Sequence, residues 1–385
     1  MNPKKAVRQI IPKSGVKLAE KSYRRARGKI WQTYYGNSAA KLEIIAVTGT
    51  NGKTTTCSYI NSVLRAAGHK TAVYTTAFFE IDGQRVANHT HMTVASQKSV
   101  QKFFAQAYRA GVNYVVIEIT SHALDQRRIA MPKVKLGVMT NLTQDHLDYH
   151  GTMEEYAAAK ARLFSSEYRA DYAILNSDDD WYDFFANNSS APVIGYGMAA
   201  GSIIRLNKHN SSAAGSDFEV VIDSKKHRFH TSLLGKFNIY NSLAAIGVAR
   251  QLGINIDDVQ KGIAELKAVP GRMEQIDEGQ GFNVLVDFAY TPDALENALR
   301  TLRPLTKGNL AIVFGATGDR VKTKRQLVGK VVGQLADKIY LTDDETYTED
   351  PTAIWQAVYE GIKTVNATKK TEVIDDRLKA IKLAF

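Results

Sequence analysis

Val47-Thr48-Gly49-Thr50-Asn51-Gly52-Lys53-Thr54 is the stretch whose residue types and spacing point most directly to chemistry. It follows an apolar strand pattern, Leu42–Val47, and opens a helical pattern running from Lys53 to about Ala67. A Gly-Lys-Thr ending in that setting is the arrangement of a phosphate-binding loop. Successive backbone N–H groups of such a turn, together with the helix N-terminus behind it, converge on phosphate oxygens. Lys53 would reach the β- and γ-phosphates, and the Thr54 hydroxyl would hold Mg²⁺. Gly49, Thr50, Asn51, Gly52, Lys53, Thr54 and Thr55 are therefore the expected nucleotide-binding residues. The pattern departs in one place: Val47 stands at the usual first glycine, and Gly49 follows two residues later. Such a loop specifies a nucleoside triphosphate, not the use made of its phosphate.

Two further sets of residues are suited to the same ion. Glu118 ends the apolar strand pattern Tyr114–Ile119. A carboxylate at that end of a strand near a phosphate loop is a natural Mg²⁺ ligand. After the next strand pattern, Leu136–Met139, comes Asp145-His146-Leu147-Asp148-Tyr149-His150. Singly these read as loop residues; together they favour metal or phosphate contact. Cys57 is the single cysteine and there is no His-Glu-x-x-His, so a hard cation with oxygen ligands is expected rather than zinc. Lys160, in the helical pattern Tyr156–Phe164, reads alone as a surface lysine.

The elements that must hold these groups alternate. Strand patterns at 42–47, 73–74, 114–119, 136–139 and 172–175 are interleaved with helical ones, which implies a parallel α/β sheet with crossover helices. Residues 193–234 break into short β-rich pieces and predict a small antiparallel sheet. Phe237–Leu252 is helical, and Val269-Pro270-Gly271 reads as a linker into a second α/β unit.

The 385 residues carry 50 Lys/Arg against 39 Asp/Glu, a net charge of +11. Residues 1–41 hold eleven of the basic residues and a single acid, Glu20, so the rest of the chain is close to neutral. Val7, Ile10, Ile11, Val16, Leu18, Tyr23, Ile30, Trp31, Tyr34 and Tyr35 are interleaved in that arm. It can dock on the body, lie on an anionic membrane surface, or neutralise phosphates. The composition excludes disordered, collagen-like and disulfide-framework classes, and no run is long and apolar enough for a membrane span or a secretory signal. One cysteine fits a reducing, cytosolic setting.

Eight runs occur in order: VTGTNGKTTT (47–56), EITSHALDQRR (118–128), TNLTQDHLDYHG (140–151), YAAAKARLF (156–164), GKFNIYNSLAA (235–245), PGRME (270–274), DFAYTPDAL (287–295) and GATGDRVKTKR (315–325). Together they resemble the Mur ligase family, on its branch adding the third peptide residue, the MurE-type UDP-N-acetylmuramoyl-tripeptide synthetases. The resemblance implies an α/β fold: a basic N-terminal arm (1–41), a central ATP-binding domain (42–268) with a mostly parallel P-loop sheet and a small extra β-sheet, and a smaller Rossmann-like domain (269–385).

It also implies a cytoplasmic ATP-dependent amide ligase of peptidoglycan precursor synthesis. The γ-phosphate passes to a muramoyl-dipeptide carboxylate, and the amine of an amino acid attacks the acyl phosphate. Lys53, Glu118, His146 and Lys160 would be catalytic. Thr54 and Glu118 would hold Mg²⁺, with Glu118 bridging to a second ion held by His146. Lys160 matches a carbamylated lysine, itself a metal ligand. Asn238, Arg272 and Asp287 match the adenosine and ribose side of the ATP site. Thr93, Thr120, Ser121 and Arg128 match muramoyl-peptide positions. No nucleic acid partner is expected.

The sequence departs from the family at several points. Only 41 residues precede the first strand, too few for the family's uridine-nucleotide domain, so the uridine moiety is expected to be held differently or to be absent. The basic arm would then contact a diphosphate, or a membrane-linked acceptor at the inner membrane face. Tyr290 replaces a histidine, and Val94 replaces a hydroxyl. Asp344-Glu345-Thr346-Tyr347 replaces Asp-Asn-Pro-Arg, removing the Arg that clamps a diaminopimelate carboxylate and leaving an acidic stretch (Asp343, Asp344, Glu345) suited to a cationic side chain. The chain ends at Phe385, earlier than relatives, which predicts an incomplete amino-acid site. Two readings compete: another ligase of this fold, of the folylpolyglutamate or poly-amino-acid type, and a non-catalytic ATP-binding partner protein.

Overall fold

The computed structural model describes residues 13–90, 92–94, 96–131, 133–319 and 321–385. Lys4, Lys5, Val7, Arg8, Ile10 and Ile11 of the basic arm lie outside them, as does Arg320 of the run 315–325.

One sheet of eleven strands carries the larger part of the chain, in the order β11-β10-β9-β8-β7-β6-β1-β5-β2-β3-β4. These are β1 (Glu43–Thr48), β2 (Thr71–Tyr74), β3 (Phe78–Ile81), β4 (Gln84–Ala87), β5 (Tyr114–Glu118), β6 (Leu136–Met139), β7 (Tyr172–Asn176), β8 (Val193–Gly197), β9 (Ile204–Ser212), β10 (Gly215–Ile222) and β11 (Lys225–Thr231). The span from β2 to β9 through β5, β1, β6, β7 and β8 is parallel. The β-rich stretch 193–234 does yield antiparallel strands, β9–β11. They continue the edge of the main sheet instead of standing apart from it, because β8 pairs in parallel with both β7 and β9.

Alternation along β1 shows how the sheet is buried on both sides. Ile44 and Ala46 pack on one face with Val115, Ile117 and Phe104, and Ile45 and Val47 on the other with Val116, Val138 and Leu243. Helices Gln97–Arg109 and Met153–Ala161 supply the first layer; Lys53–Ala66, Lys236–Gln251 and Ile256–Glu265 supply the second. The register sets Val47 beside Glu118 and beside Val138, so the loops after β1, β5 and β6 open at one edge. That C-terminal edge is where parallel sheets bind ligands.

The remaining residues build a second core around Leu295, Leu299, Val328, Val332, Leu341, Val358 and Ile362. It packs β14 (Ala311–Phe314), β15 (Lys338–Leu341) and β16 (Thr371–Val373), a parallel sheet, against helices Pro292–Leu302, Lys322–Leu335 and Pro351–Lys363. A short antiparallel pair, β12 (Glu274–Ile276) and β13 (Val284–Val286), precedes it.

The basic arm contributes a helix, Lys13–Tyr34, seated on the main body. Gly28 is the buried contact: a Cβ there would lie 3.2 Å from the Ala130 Cβ and 3.2 Å from the Gln97 amide nitrogen. Tyr23, Ile30 and Tyr34, on another face, are at least 64% exposed. Among the described residues, no helix is long and apolar enough to cross a membrane.

Candidate active site

The loop after β1 is held by its neighbours as much as by itself. Thr50 N–H donates to the Asn141 carbonyl (2.9 Å) and Asn51 N–H to Asn141 Oδ1 (2.9 Å), while Thr140 Oγ1 donates to the Asn51 carbonyl (2.7 Å). Only glycine fits at 49: φ is +149°, and a Cβ would sit 1.8 Å from Thr140 Oγ1. Thr50 Oγ1 lies 3.1 Å from the Tyr156 hydroxyl. Lys53 Nζ folds back onto the Thr50 carbonyl (2.7 Å) and stands 4.0 Å from Glu118 Oε1. Burial lowers the Lys53 pKa, and Glu118 opposes that shift.

Glu118 collects the donors around it. Thr54 Oγ1 donates to Oε2 at 2.8 Å, Thr76 N–H to Oε2 at 3.1 Å, and Thr76 Oγ1 to Oε1 at 3.1 Å. Thr76 Oγ1 in turn lies 2.6 Å from Thr93 Oγ1. A hydroxyl and a carboxylate oxygen set side by side suit a hard cation, whose remaining positions water and phosphate fill. Among the described residues, no three His, Cys, Asp or Glu side chains cluster as a metal cage.

Lys160 is not the surface residue that its helix alone suggests. It is 1% exposed, donates from Nζ to the Gly49 carbonyl (2.6 Å), and lies over the Tyr156 ring. Burial, then the Lys53 charge, press its pKa well down, favouring a neutral amine. His146 adopts a left-handed backbone (φ 54°) and lies 3.5 Å from Asp145 Oδ2. Burial brings its pKa down to about 3. His150 Nε2 meets Ser121 Oγ at 2.9 Å, and burial followed by His122 brings it down to about 4.

The second core faces this edge through side chains. Arg272 donates to Thr54 Oγ1 (3.2 Å), Asn51 Nδ2 to Asp293 Oδ2 (2.8 Å), the Tyr290 hydroxyl to Asp145 Oδ2 (2.8 Å), and Lys324 Nζ to Asp145 Oδ1 (3.1 Å). Burial alone would raise the Asp145 carboxyl, yet His146, Lys324 and Tyr290 hold it below its ordinary value.

Lys53, Thr54, Glu118, Thr93 and Arg272 thus share one network, and Lys160 joins it through Gly49. Thr55 is buried in the helix. Asn238 spends its amide on the Leu234 carbonyl and on Asn241, behind Gly52. Asp287 accepts Met273 N–H and Ala289 N–H, stapling the segment that carries Arg272. Thr120 caps the turn Ser121–Asp125, and Arg128 reaches Gln126 Oε1 (2.8 Å) and the Val94 carbonyl (3.5 Å). Sequence reading missed Thr76, Asn141, Tyr156, Asp293 and Lys324. Four of them lie in runs already singled out, Asn141 in 140–151, Tyr156 in 156–164, Asp293 in 287–295 and Lys324 in 315–325; Thr76 had no signal.

The chain matches the Mur ligase middle domain over residues 47–249 and the Mur ligase glutamate ligase domain over 271–385. A Geobacillus kaustophilus protein named UDP-N-acetylmuramoyl-L-alanyl-D-glutamate–2,6-diaminopimelate ligase is 39% identical over 368 residues, covering 94% of this chain and 74% of that protein. An Aquifex aeolicus protein of the same name is 38% identical over 364 residues, covering 94% and 73%. A solved structure of a ligase of that name aligns at TM-score 0.62 and 33% identity, over 89% of this chain and 70% of the other. Folylpolyglutamate synthase of Mycobacterium tuberculosis, complexed with ADP and AMPPCP, aligns at TM-score 0.76 over 94% and 87% but is 17% identical, a likeness of fold alone.

Proposed function

The chain belongs to the Mur ligase family, and we propose from that membership that it joins an amino acid to the carboxylate of a muramoyl-dipeptide, using ATP and Mg²⁺, in peptidoglycan precursor synthesis. One observation carries the reading: Arg272, in the segment leading into the second core, touches Thr54, which is itself bonded to Glu118 beside Lys53, and Asp293 of the second core holds Asn51, so groups from both sides meet at one edge.

The carboxylate oxygen of the acceptor takes the γ-phosphoryl group and ADP leaves. The amine then attacks the acyl carbon, phosphate departs, and a proton is lost to give the amide. The residues contribute positioning and charge. The N–H groups at the start of the helix Lys53–Ala66, together with the Lys53 ammonium, would hold phosphate oxygens, and Asn238, Arg272 and Asp287 would form the adenosine and ribose side. Thr54 and Glu118 would hold Mg²⁺, which would supply positive charge to the phosphates. Thr93, Thr120, Ser121 and Arg128 seat the acceptor. The working division is 42–268 and 269–385, with closure between the two excluding water from the acyl phosphate.

Lys160 acts as a carbamate in this reading: its neutral amine adds CO₂, losing a proton, and becomes a carboxylate-like ligand beside His146. A ¹³C-bicarbonate carbamate signal absent from Lys160→Ala would support it; a signal unchanged by that substitution would refute it.

The amino acid is proposed to carry a cationic side chain. The named relatives use 2,6-diaminopimelate, but here Tyr347 stands where the carboxylate-clamping Arg is expected, and Asp344 and Glu345 are exposed beside it. Residues 1–41 are proposed to contact a phosphate-bearing group or an anionic membrane surface; the exposed Tyr23, Ile30 and Tyr34 favour a peripheral site on a cytoplasmic protein. The deciding experiment is phosphate release from ATP with UDP-muramoyl-dipeptide and a panel of amino acids. Release that needs both partners and is lost in Lys160→Ala is expected. Release with a pteroyl or polyglutamate acceptor instead would move the chain to the folylpolyglutamate type. ATP binding without release with any pair would leave a non-catalytic role.

A further inference from the structure

We propose that Arg24 is an additional acceptor-binding residue: carried in on the helix Lys13–Tyr34, it pairs with Arg128 to clamp an oxyanion of the acceptor. The inference rests on the acceptor reading above.

A buried side chain, Gln97, registers the helix. Gln97 is 3% exposed; its amide nitrogen donates to the Arg24 carbonyl (2.7 Å) and to the Arg127 carbonyl (2.9 Å), and its oxygen accepts from Arg27 Nε (3.2 Å). The backbones of Arg24 and Arg127 are thus tied to one group. Gly28 lies one turn further on the same face, where a Cβ would already crowd Ala130. The helix therefore approaches segment 127–130 about as closely as backbone allows, and Arg24 cannot slide along it.

Charge accumulates where the two elements meet. The Arg128 guanidinium is half-buried and bonds only to neutral oxygens, on Gln126 and Val94; among the described residues it forms no ion pair. Burial first, and then the neighbouring Arg24 charge, lower its pKa. The Arg24 charge also reaches the Tyr149 phenol, which bonds to Gln126 (3.0 Å) and Asp125 (2.8 Å). Nearby acids are engaged elsewhere: Glu167 takes Arg127 (3.2 Å) and Arg162 (2.7 Å), and Asp125 also lies 3.8 Å from Arg162. Arg24 has Glu20 one turn away at 3.3 Å, a partly exposed pair of the kind that contributes little and exchanges readily.

Two guanidinium charges carried on backbone segments tied to one side chain, at a partly dry surface, repel unless an anion lies between them. Planar forks of this kind accept carboxylate or phosphate in bidentate fashion. Arg128 reaches the carbonyl of Val94, next to Thr93, so an acceptor laid along Thr93 and Ser121 would bring an anionic group to the pair. Two sources share this chemistry: a diphosphate on the acceptor and a carboxylate of its peptide.

The test compares Arg24→Gln with Arg25→Gln, one residue away on the same helix and pointing elsewhere. Because Gln97 holds the Arg24 carbonyl, the substitution leaves helix docking in place; circular dichroism and thermal melting check this. Losing a charged hydrogen bond predicts an acceptor KM raised about tenfold or more in Arg24→Gln. The KM for ATP and kcat should stay unchanged, with partial recovery in Arg24→Lys and no change in Arg25→Gln. Calorimetry with UDP and, separately, with the L-alanyl-D-glutamate dipeptide needs no turnover, so it tests the clamp even if the ligase reading fails. Weaker UDP binding in Arg24→Gln assigns the clamp to diphosphate; weaker dipeptide binding assigns it to a carboxylate. Equal acceptor KM in the two glutamine variants, or neither probe being weakened or bound, overturns the proposal.

Discussion

The loop after β1 and the seam facing it from the second core are built by opposite means. The loop is fixed by backbone hydrogen bonds and close approach, and it rests on groups that are nearly dry: Thr54 and Glu118 are each 2% exposed, and Lys160 is 1%. The seam is made of side-chain contacts, and Tyr290 in it stays 40% exposed. The difference teaches that the loop is fixed chiefly by its neighbours in the main sheet, whereas the seam rests on a few side-chain hydrogen bonds that opening would break. Closure over a reactive intermediate needs such a partner.

The largest expected effect lies on the loop. Lys53→Ala should lower kcat by about 10²–10³-fold, the scale of losing one pre-organised donor to developing charge. A variant that keeps wild-type kcat would remove the loop from the chemistry. Gly49→Ala comes next. The new methyl would overlap Thr140 Oγ1, so ATP binding should fall steeply while the far-UV spectrum stays native. Normal ATP binding would show that the loop is less rigid than its contacts suggest.

A third test concerns charge in the dry side of the site. His150 titrates at about 4 in the fold, chiefly through burial and the His122 charge, against an ordinary value near 6.5. As pH falls below 6.5 the unfolded chain takes up a proton that the folded chain refuses until about 4. Stability should therefore decline across that window. His150→Gln should flatten the slope of Tm against pH between 6.5 and 4, and an unaltered slope would place the protonation elsewhere. The smallest effect belongs to the seam. Tyr290→Phe removes one hydrogen bond to Asp145, worth about 1 kcal/mol, and Lys324 still holds the other carboxylate oxygen. A change of a few-fold in KM for ATP, with Tm unmoved, is expected. A large fall in Tm would mean that the seam is structural.

What could be read from the chain divides along the same line. Gly49, Lys53, Thr54 and Glu118 were legible because their chemistry is local: a strand end, a turn and a helix start. Their supporting partners were not. Thr76 meets Glu118 from 42 residues away, Gln97 meets Arg24 from 73, and Lys324 meets Asp145 from 179. Lys160 needed the family resemblance, since its burial comes from tertiary packing and leaves no mark on its own helix. The β3–β4 hairpin was overlooked because Gln84–Ala87 is exposed throughout and shows no alternation. Its turn, Asp82-Gly83, had announced it, both residues taking the positive φ that such a turn requires. The antiparallel strands of 193–234 were anticipated, but not their continuity with the main sheet, which depends on β8 pairing in parallel on both of its sides.

Cys57, the single thiol, lies one turn beyond the phosphate loop, fully buried, with burial and then Glu118 raising its pKa well above normal. Such a thiol stays protonated and out of reach of maleimides. A cysteine introduced on the exposed surface of each core would accordingly be labelled without first removing the native one, so a donor–acceptor dye pair could follow the opening and closing of the seam in the otherwise unaltered chain.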